Sequence, residues 1–256
     1  MVSKGEFLRA LEEERQSVQG KSVLITGGTT GIGRATALLL AAHGARVLIF
    51  GRHEEELEGA LRDLREMGGE VYGLIADVSK ADDIHRVFAE VDARLGGLDI
   101  LINNAALPAG SVMEGEYAHW EYVVKTNLVG YLACAHYAVD RMRARGGGQI
   151  IHMGSLSAEG REAGSSLYVA TKSAIQGFTE ALRKEVNKDG IRVVLIEPGL
   201  VGTDLNDVPP SRQQQMEVEL EMLKAEDVAV CIHFILTEPQ RVDMIVVQVR
   251  PHLQLI

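Results

Sequence analysis

Tyr168 and Lys172 lie four residues apart in the stretch Ser165-Ser166-Leu167-Tyr168-Val169-Ala170-Thr171-Lys172, and Ser155 precedes Tyr168 by thirteen positions. On a helix the four-residue spacing stacks phenol and ammonium on one face, where the Lys charge favours the phenolate of its neighbour. A phenol tuned in this way serves as proton donor or acceptor. Taken alone, the pair is equally compatible with a solvated helix face, so its meaning depends on what the rest of the chain places around it.

The run Lys21-Ser22-Val23-Leu24-Ile25-Thr26 is a short, β-branched strand candidate, followed by Gly27-Gly28-Thr29-Thr30-Gly31-Ile32-Gly33 and a helix-favouring segment from Arg34 to Ala41. Strand, glycine turn and helix in this order let the backbone approach a pyrophosphate, whose charge meets the free N–H groups of the helix N-terminus. The glycine spacing is G-x-x-x-G-x-G, which differs from both G-x-G-x-x-G and the Walker pattern.

Further along, strands are expected near 46–50, 70–76, 98–102, 149–153, 191–197 and 244–249. Helices are expected near 54–67, 81–95 and 118–143 and around Tyr168. The alternation predicts an α/β fold: a single-domain, Rossmann-type, doubly wound parallel sheet with helices on both faces and sites at the carboxyl ends of the strands. Residues 1–19 form an N-terminal extension in which Ser3 and Glu6 are spaced as a capping box, and 20–256 form the dinucleotide-binding and catalytic domain.

Thr26-Gly27-x-x-x-Gly31-Ile32-Gly33, Asn103-Asn104-Ala105-Ala106, Asn127, Ser155 and Tyr168-x-x-x-Lys172, in this order, resemble the short-chain dehydrogenase/reductase family over roughly residues 20–250. The resemblance implies an NADP-dependent alcohol dehydrogenase or carbonyl reductase that transfers hydride between NADPH and a carbonyl or secondary alcohol. Tyr168 would be the acid/base, Ser155 the donor to the substrate oxygen, and Asn127 the holder of a relay water. Lys172 would tune the phenol and bind the nicotinamide ribose. Lowering a phenol by about 3 pKa units from about 10 takes roughly 4 kcal/mol of preferential phenolate stabilisation, expected from Lys172 and the oxidised nicotinamide ring.

The cofactor contacts carry over by position: Gly27, Thr29, Thr30, Gly31, Ile32 and Gly33 in the turn; Arg52 and His53 after the second strand; Asp77 and Val78 beside the adenine. Asn104 and Ala105 follow the fourth strand, Tyr168 and Lys172 face the nicotinamide ribose, and Pro198, Gly199, Val201 and Thr203 hold the carboxamide end. A carboxylate at the end of the second strand would favour NAD, whereas this chain has Gly51 and then Arg52, whose guanidinium suits a 2′-phosphate. NADP(H) is therefore expected in preference to NAD(H). Thr30 brings no positive charge to the turn, and Ala106 stands where the family usually has Gly.

Lys plus Arg number 26 against 36 acidic residues, and the net charge of −10 opposes binding to nucleic acid or anionic membrane. No apolar run reaches membrane-spanning length and the N-terminus is charged, so a cytoplasmic protein with a small-molecule substrate is expected. Cys134 and Cys231 lie in apolar helical patterns and read as buried free thiols. The histidines lack ligand spacing, so no catalytic metal is expected. The resemblance also implies a homotetramer paired through the fourth and fifth helices, with a homodimer as the alternative.

A lid is expected at about 203–223, and Leu107, Leu156, Ser157, Glu162 and Leu205 are candidate substrate walls. The tail Val246-Val247-Gln248-Val249-Arg250-Pro251 resembles members that reduce small carbonyl compounds, such as hydroxy-acid or clavulanate-type dehydrogenases. A 3-oxoacyl-thioester ketoreductase is the alternative within the family, and a catalytically silent NADP-binding sensor or scaffold the alternative outside catalysis.

Overall fold

A computed structural model describes residues 3–6 and 14–254. Its centre is a seven-stranded parallel sheet built from β1 (Ser22–Thr26), β2 (Arg46–Gly51), β3 (Val71–Ile75), β4 (Ile100–Asn103), β5 (Gly148–Met153), β6 (Ile191–Pro198) and a last strand, Val246–Val249, in the spatial order β3-β2-β1-β4-β5-β6-last. Chain order reverses direction between β1 and β4, which opens a crevice at the carboxyl ends of those two strands. Both faces of such a sheet are covered, so its central strands β1, β2 and β4 to β6 are largely apolar, and residue parity decides which face each side chain serves. Val23, Ile25, Val47 and Ile49 enter one core, with Leu40, Leu64 and Ile232 from the helices above. Leu24, Leu48 and Phe50 enter the other, with Val87, Phe88, Cys134 and Met142 below.

The first core is closed by α1 (Gly31–Ala42), α2 (Glu54–Glu66) and a late helix, Ala225–Thr237. The second is closed by α3 (Ala81–Glu90), a π-helical turn at Val91–Leu95, and α5 (Gly130–Ala144), which follows α4 (Tyr117–Val124). The long helix expected over 118–143 is thus interrupted: Lys125–Val129 forms a π-helical turn, and Asn127 sits inside it, fully buried. After α6 (Ser157–Gly160), α7 (Ser166–Val186) carries Tyr168 and Lys172, and it packs against β6.

The expected lid contains α8 (Pro210–Val218), which starts with Pro at its first position, where the missing N–H costs nothing. It is framed by a two-residue parallel pair, β7 (Val201–Gly202) with β8 (Leu223–Lys224); the late helix is then α9 and the last strand β9. At the N-terminus Ser3 N–H donates to Glu6 Oε2 at 2.8 Å and Glu6 N–H to Ser3 Oγ at 3.2 Å, the reciprocal cap that the spacing predicts. The rest of the expected extension up to residue 13 lies outside the described residues. Gln16 N–H then bonds the Thr237 carbonyl, and Val18 joins the first core. Among the described residues no helix is long and apolar enough to cross a membrane.

Candidate active site

Strand register brings Thr26, Asn103, Met153 and Pro198 to one rim of the sheet. Thr26 Oγ1 accepts the backbone N–H groups of Asn104 and Ala105, both at 2.9 Å, and Asn104 Nδ2 donates to the carbonyls of Thr26 at 3.1 Å and Gly27 at 3.0 Å. The two strand ends that flank the crevice are therefore tied to each other by side chains. Gly27 takes φ +63° against Ala105. Gly33 lies behind this turn: a Cβ there would come 2.1 Å from the Gly27 carbonyl oxygen and 2.6 Å from Asn104 Nδ2. Its place is close packing of helix on turn, and it does not line the cleft. The first turn of α1 carries no acidic residue, and the N-cap Thr30 makes no side-chain cap, so the N–H groups at this end remain available to an anion.

A cleft of about 620 Å³ runs along the rim. It gathers every candidate cofactor residue except Gly33, together with Ser155, Tyr168 and Lys172, and all five candidate wall residues. Ala106, at the position where the resemblance would place a glycine, also lines it. Ala106 needs no positive φ, so alanine fits the turn without backbone strain.

One end is defined by Arg52, His53, Asp77 and Val78. Arg52 Nη1 donates to the Tyr122 hydroxyl at 2.5 Å, and that hydroxyl donates to Asp77 Oδ2 at 2.9 Å. Asp77 Oδ1 accepts the Ser79 N–H at 2.9 Å. Burial alone would raise the Asp77 carboxyl, but the hydrogen bonds from Ser79 and Tyr122 and the charge of Arg52 outweigh it and hold the group below its ordinary value. Tyr122 gave no signal in the sequence. It is one aromatic residue in an amphipathic helix, and its partners lie 70 and 45 residues away.

The other end holds the acid/base candidates. Ser155 lies just past β5 and is buried; its Oγ accepts the Ser157 N–H at 3.1 Å, which leaves the hydroxyl proton free to donate. Lys172 is 2% exposed, and its Nζ donates to the Met153 carbonyl at 2.8 Å, 5.6 Å from the centroid of the Tyr168 ring. Burial lowers Lys172 to about 8. The Tyr168 phenol is pushed up, where the sequence leads one to expect it pushed down: burial dominates, and the nearby Ser155 hydroxyl only opposes it. The physical reason is that the ammonium serves the carbonyl end of β5 and itself loses charge stability through burial. A protonated phenol at neutral pH is nonetheless the species a proton donor requires.

Asn127 lies behind the cleft wall: its Oδ1 accepts the Leu107 N–H at 2.7 Å and its Nδ2 donates to the Leu107 carbonyl at 2.9 Å. This pairing fixes the wall at Leu107, and the π-helical turn around Asn127 disturbs the regular carbonyl ladder beside the site.

Thr126, Asn206 and Gln254 also line the cleft and were not among the sequence candidates. Gln254 Oε1 accepts the Leu200 N–H at 2.9 Å, so the C-terminal tail braces the loop after β6. Only tertiary folding brings these residues in, and nothing local marks them. The groups available to an elongated, anionic, hydroxyl-bearing ligand are the α1 N-terminus, the Arg52 guanidinium and the buried Lys172 ammonium with a single protein acceptor among the described residues. Thr126 Oγ1, buried and without a partner there, completes the set. Among the described residues no three His, Cys, Asp or Glu side chains gather as for a metal ion. Cys134 and Cys231 are free; burial raises the Cys134 thiol to about 12.

A family model described as short chain dehydrogenase matches residues 21–215. An uncharacterised oxidoreductase of Staphylococcus aureus is 30% identical over 234 residues, covering 90% of this chain and 97% of the relative. A 3-oxoacyl-[acyl-carrier-protein] reductase from the same species is 32% identical over 189 residues, 73% of this chain and 77% of its own. Among solved structures, L-sorbose reductase from Gluconobacter frateurii, complexed with NADPH and L-sorbose, superposes with a TM-score of 0.84 at 29% identity, covering 92% of this chain and 97% of that one.

Proposed function

Because the chain belongs to the short-chain dehydrogenase/reductase family of oxidoreductases, we propose that it transfers hydride between NADP(H) and the carbonyl or secondary alcohol of a small organic substrate, with Tyr168 as the acid/base. The observation that carries this reading is the position of Ser155, Tyr168 and Lys172 at one end of the cleft whose other end holds Arg52. The bound dinucleotide would supply or accept the hydride. The remaining steps belong to the protein.

In the reducing direction, negative charge grows on the substrate oxygen as its carbon accepts hydride, and a donor is needed there at once. The Ser155 hydroxyl, already oriented by the Ser157 N–H, would donate to that oxygen, and Tyr168 would deliver the proton that completes the alcohol. Lys172, anchored on Met153, would offer its remaining N–H groups to the ribose hydroxyls. Its charge would favour the phenolate left behind until solvent restores the proton. Asn127 would serve this relay by holding its water beside the π-helical turn. Closure of the cleft around Leu107, Leu156, Ser157, Glu162 and Leu205 would exclude bulk water.

The preference for NADP(H) rests on Gly51 standing where NAD-using sites place a carboxylate, with the Arg52 guanidinium next to it. The L-sorbose reductase complex, which holds NADPH, supports the same reading. Its substrate makes a small polar carbonyl compound the first class to try. The likeness to a 3-oxoacyl-[acyl-carrier-protein] reductase favours a second reading, reduction of a 3-oxoacyl thioester. A cytoplasmic homotetramer, or failing that a homodimer, accompanies either reading and is tested by the mass in solution.

The deciding experiment follows NADPH absorbance with hydroxy-ketones, aldehydes, 2-oxo acids and a 3-oxoacyl thioester, comparing wild type with Tyr168→Phe. A loss of about 10²–10⁴ in kcat, with NADPH still bound, is the expected outcome. Undiminished turnover in the variant would overturn the role of Tyr168, and no turnover of any carbonyl would favour a silent NADP-binding protein.

A further inference from the structure

We infer that Tyr122 is a positioning residue for 2′-phosphate recognition: its hydroxyl stands between the Arg52 guanidinium and the Asp77 carboxylate and keeps the two from pairing directly. The inference rests on the NADP(H) reading of the cleft and deepens it. Arg52 is an exposed side chain on the loop between β2 and α2, and a free guanidinium there has several carboxylates to choose from. Asp77 is in the same cleft, as is Glu56, and Glu54 and Glu55 share the first turn of α2. A guanidinium captured by a carboxylate in a two-pronged pair is lost to a phosphate, because both ligands use the same donor edge.

The phenol prevents that capture in two ways. It accepts one Arg52 N–H at 2.5 Å, and its ring lies 5.8 Å from the guanidinium carbon, within cation–π range. It also donates to Asp77 Oδ2 at 2.9 Å, which satisfies on that side the acceptor that would otherwise seek the guanidinium. With Ser79 N–H on the other oxygen, Asp77 is held at the adenine side. Tyr122 thus separates a cation intended for the ligand's phosphate from an anion intended for its base, and among the described residues the other Arg52 donors have no partner.

The test uses binding alone. Adenosine 2′,5′-bisphosphate and adenosine 5′-monophosphate are titrated by calorimetry into wild type, Tyr122→Phe, Arg52→Ala and Tyr122→Phe/Asp77→Asn. Wild type is expected to prefer the bisphosphate. Tyr122→Phe is expected to lose about tenfold in bisphosphate affinity while monophosphate affinity, which also reports an intact site, changes less than about twofold. The added Asp77→Asn removes the competing carboxylate and is expected to restore the bisphosphate-to-monophosphate ratio. Equal losses for the two ligands in Tyr122→Phe, an unchanged ratio, or no restoration would overturn the inference. If Arg52→Ala leaves the ratio unchanged, the NADP(H) reading of Arg52 fails instead, and the two failures are told apart.

Discussion

The Lys172 ammonium donates to the carbonyl of Met153 at 2.8 Å, and the buried Tyr131 hydroxyl donates to the same oxygen at 3.3 Å. A charge on α7 is thereby fastened to the end of β5, with only 2% of the residue exposed. The fold bears the cost of this placement, since burial brings Lys172 down from 10.5 to about 8.

Lys172→Met is therefore expected to stabilise the protein while impairing the proposed reaction. At pH 7 the native state must hold the ammonium out of water, and relieving that should raise the unfolding free energy by roughly 2–3 kcal/mol. Between pH 8 and 10.5 the wild-type native state sheds its proton while the unfolded chain keeps it. Wild type gains stability across that window and the difference between the proteins narrows. Urea unfolding of both proteins at pH 7 and pH 10 checks the sign.

His152 provides a second pH dependence, at the acid side. Its Nδ1 lies 2.9 Å from Thr179 Oγ1, whose own proton is committed to the Ile175 carbonyl at 2.7 Å, so Nδ1 must be the donor and Nε2 stays unprotonated. Burial drives this imidazole from 6.5 to about 3. As pH falls from 6.5 toward 3 the unfolded chain takes up a proton that the native state refuses, and stability is lost. Relative to His152→Asn, wild type should lose roughly 1.4 kcal/mol between pH 7.5 and 5.5, measured by denaturant unfolding.

Leu220 ends α8 with φ +62°, a left-handed conformation unusual for a branched apolar side chain. The Leu220 N–H bonds Glu217 O and the Glu221 N–H bonds Met216 O, the pair of contacts that normally selects glycine or asparagine at this position. Leu220 is 53% exposed, so little packing is forfeited by replacing it. Leu220→Asn should raise stability by about 0.5–1 kcal/mol without altering turnover, which a thermal melt and a rate assay together decide.

Gln254→Ala removes the acceptor for the Leu200 N–H and loosens the loop that follows β6. Because the contact lies at the cleft and outside both apolar cores, kcat/KM for the best carbonyl substrate should fall up to about tenfold with the melting temperature nearly unchanged. A parallel drop in both would assign the contact to stability alone.

The sheet was legible because its strands are short apolar runs separated by helical periods, and the cleft because Thr26, Asn104, Ser155, Tyr168 and Lys172 each follow or face a strand end. The parts that escaped depend on partners distant in sequence. Asn127 stands out in the sequence as a poor helix former, yet no periodicity reveals that the helix changes its winding around it. Tyr122 and Gln254 resemble their neighbours until Arg52, Asp77 and Leu200 are folded against them. The direction of the Tyr168 shift escaped for a different reason: spacing reveals the charge nearby but not the solvent removed.

The bonds between Thr26 and Asn104 join positions 78 residues apart. A growing chain that has made only β1 and its glycine turn has the residues of a phosphate cradle but no wall for it, because Asn104 arrives later and Leu200 and Gln254 later still. Under the proposed function, nucleotide recognition would thus belong to the folded cleft as a whole, because its parts come from residues far apart along the chain.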